Sequence, residues 1–280
     1  MARDTSFSYS FLVLPDEQRR AIGLVWDFCR AVDDAVDEAR NRESAARELS
    51  GWRAEVDHLF GPSAPATPQG VRLKPFVESF RLSRVHFDDL VDGVEMDLSR
   101  ARYATFDELV GYCRRVASAV GLICIEIFGC RDSRSRDYAF NLGLALQLTN
   151  IIRDVKVDLD HGRVYLPHED LARFGVTEAD LGAGRVTEPV RQLLAYECQR
   201  ARHFFTAAHQ AMPHQEARQL LAAEIMGGIY YEILQRIERR DYDVFSEVIR
   251  VPKIVRARIA LAAWARSQLS AIGLRRSARA

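Results

Sequence analysis

The 280-residue chain carries 39 basic and 39 acidic side chains, so its formal net charge is zero and no global field draws it to nucleic acid. With 48% hydrophobic and 28% charged residues it has the make-up of a soluble globular protein. The start, MARDTSF, puts an acid where a signal peptide needs apolar residues, and the longest nearly apolar run, NLGLALQLTNII, falls short of the about 20 residues of a membrane span. The chain reads as cytosolic, with surface contact to a membrane left open.

Apolar residues recur at helical spacing almost throughout, and no stretch alternates as a strand does. The spacing predicts helices near 16–39, 43–60, 76–83, 86–101, 106–129, 134–158, 188–211, 214–240 and 253–272. GPSAPATPQG (61–70) is too rich in Pro for helix, and HGRVYLP (161–167) followed by FGVTEADLGAG (174–184) forms a long irregular connection. Neither has the composition of a flexible linker, so one all-α domain of packed helices over 1–280 is expected. Five cysteines form no CxxC pair and are odd in number, which reads as buried reduced thiols. The basic end, GLRRSARA, reads as a frayed terminus rather than a membrane anchor.

RAVDDAVDE (30–38) packs four carboxylates into one predicted helix. On a wheel of about 100° per residue centred on Val32, Ala21, Val25, Phe28, Cys29, Ala35 and Val36 make the buried face. Asp27, Asp34 and Glu38 fall opposite, at about 200–240°, and read as solvated charge. Asp33 and Asp37 lie with Trp26 and Arg30 at about 100–160°, bordering the core. Like charges at i and i+4 repel, so this pair needs Arg30 or a bound cation to compensate it. DDLVD at 88–92 has the same spelling and, with nothing to support it, reads as an exposed helical face.

A second stripe lies in QLTNIIRDVKVD (147–158), where Gln147, Asn150, Asp154 and Asp158 span about 80° of a helix that is otherwise apolar on nearly every side. Buried polar groups require partners. The stripe is therefore either an ion-pair network built on Arg153 or an arginine of another helix, or an oxygen-rich half-site for a hard cation. Mg²⁺ suits such a site, since it takes carboxylate and amide oxygens and shares its shell with substrate phosphates. Two half-sites of this kind, facing each other, suit a diphosphate, with Arg30, Arg153 and Arg163 as candidates to meet its oxygens. The histidines have no zinc-ligand spacing, GAGRVT (182–187) lacks the third glycine of a dinucleotide loop, and there is no P-loop or GxSxG elbow. The aromatics read first as packing residues, and some could line an apolar cavity.

TSFSYSFLVLP, VWDFCRAVDDAVDE, GVEMDLSRARY, LVGYCRRVASAVGL, LALQLTNIIRDVKVD and GRVYLP stand in the order found in the squalene/phytoene synthase family, which the chain resembles from about residue 5 to residue 245. Within the family, GVEMDL, EIFG (126–129) and the opening segment are most similar to the presqualene diphosphate synthases of the hopanoid pathway. The resemblance implies an isoprenoid-synthase bundle with a central cavity and a prenyltransferase that joins two prenyl diphosphates head to head. It places Asp33 and Asp37 on one wall and Asn150, Asp154 and Asp158 on the other, each gripping Mg²⁺–diphosphate. It also implies phosphate contacts from Arg30, Arg153, Arg163 and Tyr165, a flap of Ser6 and Phe7, and a pocket lined by Asp97, Tyr112 and Tyr230. The implied reaction is two farnesyl diphosphates to presqualene diphosphate, and no motif for NADPH is visible.

Three positions depart from the family pattern. Trp26 stands where Tyr is usual, Val157 replaces an acid, and Glu247 falls near a usual Arg, for which Arg250 or Lys253 could substitute. Other products consistent with the resemblance are phytoene and dehydrosqualene. A different class of reading is a non-catalytic helical assembly protein that has kept the fold.

Overall fold

The computed structural model describes residues 10–99 and 102–277, with side chains as far as Gln268. Ser6 and Phe7, expected as a flap, lie outside the described residues. Among the described residues, ten of the thirteen α-helices build the frame of the site: α1 Asp16–Asp37, α2 Arg42–Phe60, α3 Pro68–Phe80, α4 Arg84–Ser99, α5 Phe106–Cys113, α6 Ala119–Phe128, α7 Ser133–Arg153, α8 Val155–Asp160, α9 His168–Phe174 and α10 Glu178–Gly182. Three longer ones follow, α11 Glu188–Ala211, α12 Leu221–Arg239 and α13 Lys253–Ser277. Among the described residues there is no strand, only an isolated parallel bridge between Arg102 and Val164.

α7 is the axis of the bundle. It packs along α11 and also against α6 and α12, and Tyr138, Leu142, Leu144, Leu148, Ile151 and Ile152 are buried on several of its sides. α1 packs against α2, α3, α4 and α6 with the face expected from its periodicity, Ala21, Val25, Phe28, Cys29, Val32 and Ala35, in the core. All five cysteines are free; Cys29, Cys113 and Cys198 are buried, Cys124 and Cys130 half-buried.

Five boundaries differ from the sequence expectation. The Pro-rich stretch does enter a helix, because α3 starts at Pro68 with Pro in the first turn, where its missing N–H is not needed. Thr67 caps it by accepting from the Gly70 N–H at 3.0 Å, and the buried Glu55 carboxylate holds Thr67 through its N–H (2.9 Å) and hydroxyl (2.7 Å). The expected helix 106–129 is interrupted by a π-helical turn, Arg114–Ser118, between α5 and α6. This turn is pressed against α7 at Gly143, where a Cβ would come within 2.6 Å of the Ser118 Cα, so only glycine permits the approach. The expected helix 134–158 breaks at Asp154, which ends α7 with ψ near 12° although the hydrogen bonds Asp154 N–H to Asn150 C=O and Asp158 N–H to Asp154 C=O carry the ladder across.

Within 161–184, read as irregular, lie the short helices α9 and α10. The expected helix 214–240 begins only at Leu221. Glu216 is drawn away to cap the start of α7, accepting from the N–H groups of Arg131 (2.6 Å) and Asp132 (3.0 Å) and from the Ser135 hydroxyl (2.5 Å).

Candidate active site

The first carboxylates sit at the last turns of α1. Asp33 is half-buried, Asp34 and Glu38 are exposed, and Asp37 is 36% exposed at its side chain. Asp33 is pushed up to about 7, first by loss of water and then by the charges of Asp37, Asp97 and Asp34, with Arg163 pulling the other way. Arg30, the sequence candidate for neutralising this pair, is exposed and makes no ion pair with a described residue. The counter-charge comes instead from Arg163, whose Nη2 lies 2.8 Å from Asp37 Oδ1.

Arg163 reaches this position because α8 ends in a tight turn. Gly162 adopts φ +75°, and the Arg163 N–H then returns to the Asp158 carbonyl at 2.9 Å. The GRVYLP segment is clamped to residues 102–106. Arg102 donates to the Gly162 carbonyl (2.7 Å) and to Glu178 of α10, the His168 N–H bonds the Tyr103 carbonyl (2.9 Å), and Glu169 accepts from the Phe106 N–H (2.6 Å).

The second wall is the end of α7 and the start of α8. Asp158 is half-buried and pushed up to about 7, by desolvation first and Asp154 next, with Arg163 opposing and Asp97 adding. Asp154 is held bidentately by Arg153, Nε to Oδ1 at 2.8 Å and Nη2 to Oδ2 at 2.5 Å. Asn150 donates to Gln147 at 3.4 Å, while its Oδ1 is buried and accepts no hydrogen bond. Such an orphaned acceptor is costly in a folded interior and is what a missing cation would satisfy. Among the described residues no three acidic, His or Cys side chains close into a metal cage.

Between the walls lies a polar centre that the sequence reading underrated. Asp97, on α4, accepts from the Tyr165 hydroxyl at 2.9 Å and the Tyr112 hydroxyl at 3.1 Å, and the two phenol oxygens are 3.4 Å apart. Their rings stack with centroids 5.2 Å apart, and buried Tyr103 packs on both at 5.5 and 6.0 Å. Burial pushes Asp97 up to about 6 although Arg163 and both phenols stabilise its charge, and burial beside Asp97 holds both phenols well above the ordinary tyrosine range. Asp97 acts on the charges of both Asp33 and Asp158, so it couples the two walls. The signal was present in the sequence: Leu90, Gly93, Val94 and Asp97 follow the i, i+3, i+4, i+7 spacing of the buried stripe of α4.

A water-sized cavity of about 10 Å³ opens beside this centre, lined by Ile151, Val155, Asp158, Arg163 and Tyr165 among others. Tyr230, expected to line the pocket, is buried on α12. Val157 is exposed and off the carboxylate stripe. Glu247 is ion-paired with Arg240 in the loop before α13.

The all-α fold is that of the isoprenoid synthases. A dehydrosqualene synthase solved with a ligand superposes with a TM-score of 0.84 over 95% of this chain and 93% of its own, at 24% identity. The family model for squalene/phytoene synthase matches residues 1–257, and the chain belongs to this family of prenyltransferases. The phytoene synthase of Arthrospira platensis is 38% identical across 86% of this chain and 82% of its own. The presqualene diphosphate synthase of Rhodopseudomonas palustris is 35% identical across 93% of each chain. The squalene synthase HpnC of Alicyclobacillus acidocaldarius aligns at 33% identity with a TM-score of 0.76, over 86% of this chain and 91% of its own.

Proposed function

We propose that the chain, acting as one catalytic unit, condenses two farnesyl diphosphates head to head into presqualene diphosphate with release of diphosphate. The observation that carries this reading is the convergence of Asp33, Asp37, Asp97 and Asp158 around Arg163, with Asp154 beside Asp158 and the Asn150 Oδ1 left without a hydrogen-bond donor. Four flanking carboxylates served by few cations make a site that is under-neutralised until cations and a polyanion enter together. Asp33 and Asp37 on one wall, with Asn150, Asp154 and Asp158 on the other, would hold Mg²⁺; the metal supplies Lewis-acid neutralisation of the diphosphate leaving group.

The remaining chemistry falls to the chain. Arg163 and Arg153, paired here with Asp37 and Asp154, would meet the phosphate oxygens of the substrate, with Arg30 available from the exposed edge of α1. Tyr112, Tyr165 and Tyr103 present ring faces next to the carboxylates, where they stabilise an allylic cation and exclude water that would quench it. The raised pKa values of Tyr112 and Tyr165 keep these two phenols protonated, so they hold Asp97 in place by hydrogen bonds and leave proton removal to the departing diphosphate. Tyr230 extends the apolar lining from α12.

A second product class, phytoene or dehydrosqualene, has in its favour identities of 33% to 38% to phytoene synthases from several organisms. A non-catalytic assembly role has no such support, because a scaffold gains nothing from half-buried carboxylates that repel one another. Incubation with farnesyl or geranylgeranyl diphosphate and Mg²⁺, with and without NADPH, tests the proposal by product identification. Presqualene diphosphate from the farnesyl substrate, unchanged by NADPH, is the expected result. A C40 product made only from the geranylgeranyl substrate would replace it with the phytoene reading.

A further inference from the structure

Given the prenyl-transfer reading of the site, we infer that Arg200 is a positioning residue, which from outside the site fixes the phenols of Tyr112 and Tyr165 against Asp97. Arg200 stands on α11 in a buried junction that takes no part in the chemistry described above. Its guanidinium forks onto Asp170 of α9, Nη2 to Oδ1 at 3.2 Å and Nη1 to Oδ2. It also donates to Glu197 at 3.1 Å and to the Tyr196 hydroxyl at 3.2 Å. The guanidinium carbon lies 4.0 Å from the centre of the Phe106 ring, at the start of α5, and 4.5 Å from that of Tyr196. The Asp170 and Glu197 side chains are 3% and 2% exposed, and that of Arg200 is 17% exposed. Burial first, and then the Asp170 charge, push Glu197 up to about 8 against the pull of Arg200. Near neutral pH, then, Glu197 keeps its proton and one cation faces one carboxylate.

The junction reaches the reaction site through the first turn of α9. His168 N–H bonds the Tyr103 carbonyl at 2.9 Å, Glu169 N–H the Ala104 carbonyl at 3.1 Å, and Phe106 N–H the Glu169 carboxylate at 2.6 Å. The two segments are thereby joined into one unit, which bears Tyr165 just before α9 and Tyr112 on α5, the two donors to Asp97. Arg200 grips this unit on both segments, through Asp170 and through Phe106, and ties it to α11. α11 in turn packs along α7, the helix of Asn150. A buried ion pair is often no more stabilising than apolar side chains of equal volume, whereas a fork and a ring stack accept one geometry only. The geometry enforced here is the placement of the phenols relative to the second carboxylate wall.

Steady-state diphosphate release from farnesyl diphosphate tests this in Arg200→Met/Asp170→Asn, which removes the pair without stranding a buried charge. The expected result is a fall of about tenfold or more in kcat with KM within about twofold, as for reacting groups held slightly out of place. In a Tyr112→Phe/Tyr165→Phe background the same pair should cost less than about twofold, because a residue acting through the phenols has nothing left to position. Arg200→Lys keeps the charge but loses the fork and the stack, so it too should lower kcat. Glu197→Gln imitates the protonated acid and should leave kcat unchanged. The NMR signals of isotope-labelled tyrosine rings, assigned through the two Tyr→Phe variants, report the phenols without any substrate, and both should move in the Arg200 variants. If the wild-type chain turns over no farnesyl diphosphate, the prenyl-transfer reading falls and these signals alone decide the role of Arg200. Unmoved phenol signals, an unchanged kcat, a loss confined to KM, or an equal loss in the Tyr→Phe background would each overturn it. Should Arg200→Met/Asp170→Asn fail to fold, Arg200→Lys is judged by the same outcomes.

Discussion

DDAVD at 33–37 and DDLVD at 88–92 share a spelling and differ in every physical respect. Asp88 is met by Arg84 at 3.1 Å and Asp92 by Arg53 at 2.6 Å, both at 42–44% side-chain exposure. Each has a dedicated cation in a setting where water does most of the work. Asp33 stands half-buried among Asp37, Asp97 and Asp34 with one shared cation, Arg163. A structural carboxylate has its own partner; a carboxylate built for a ligand is left under-compensated until the ligand arrives. The motif resides in the neighbours rather than in the five letters.

The largest expected effect breaks this comparison most directly. Asp33→Asn or Asp154→Asn should lower diphosphate release by about 10²–10³-fold, the range for removing one group that stabilises developing charge. Asp88→Asn should change it less than about twofold, as expected of a screened surface pair. Steady-state release of diphosphate from farnesyl diphosphate checks both. Comparable losses from Asp88→Asn and Asp33→Asn would remove the distinction drawn above.

Next in size is Arg163→Gln. Among the described residues this arginine makes the ion pair to Asp37, and it opposes the rise of Asp33 and, together with Arg153, that of Asp158. Its removal takes away both a phosphate ligand and the group that keeps three carboxylates apart. A fall of about 10–10²-fold in kcat/KM is expected, with KM for the prenyl diphosphate rising, as for a lost charged contact. Arg163→Lys should recover only part of it, because a point charge cannot reproduce the planar fork.

The pH dependence of stability sharpens the comparison in the opposite direction. An unfolded Asp loses its proton near about 4, whereas Asp33 and Asp158 hold theirs to about 7 and Asp97 to about 6. Between those values the folded chain binds more protons than the unfolded one, so the metal-free protein should lose stability as pH rises from about 4 through 7. Asp33→Asn removes part of that loss. It should stabilise the metal-free chain by roughly 1–3 kcal/mol at pH 8, by less at pH 5 and hardly at all below about pH 4, read from urea unfolding across that range. The same substitution that stops the reaction should thus strengthen the fold, which no surface carboxylate can do.

How much of this was legible beforehand follows the same division. The buried face of α1, the solvated side at Asp34 and Glu38, and the stripe Asn150–Asp154–Asp158 are matters of angle, and a wheel reads angles well. Arg163 as the clamp on Asp37 could not be read that way. It is 126 positions distant in the chain and is brought round by the Gly162 turn and the contacts of Arg102, Tyr103 and Phe106. The π turn at Arg114–Ser118 depends on the space left by Gly143, a tertiary fact. The start of α3 was hidden because its prolines were read as breakers, when Pro68 is a starter and Pro75 is tolerated inside the helix.

The smallest effect completes the contrast. Arg53 donates to both Asp92 (2.6 Å) and Glu95 (2.6 Å), and all three side chains are 40–52% exposed. Asp92→Asn removes one of two acceptors from an arginine that keeps the other, so the arginine is not left unpaired. Exposed pairs contribute about 0.2–1 kcal/mol, and a shared one falls toward the lower end. Thermal unfolding should therefore register a loss of less than about 1 kcal/mol, diminishing further in high salt, with diphosphate release unchanged. A larger loss that persists in salt would mean that the α2–α4 pairing is worth more than its exposure allows, and that DDLVD, too, is held by its surroundings rather than by water.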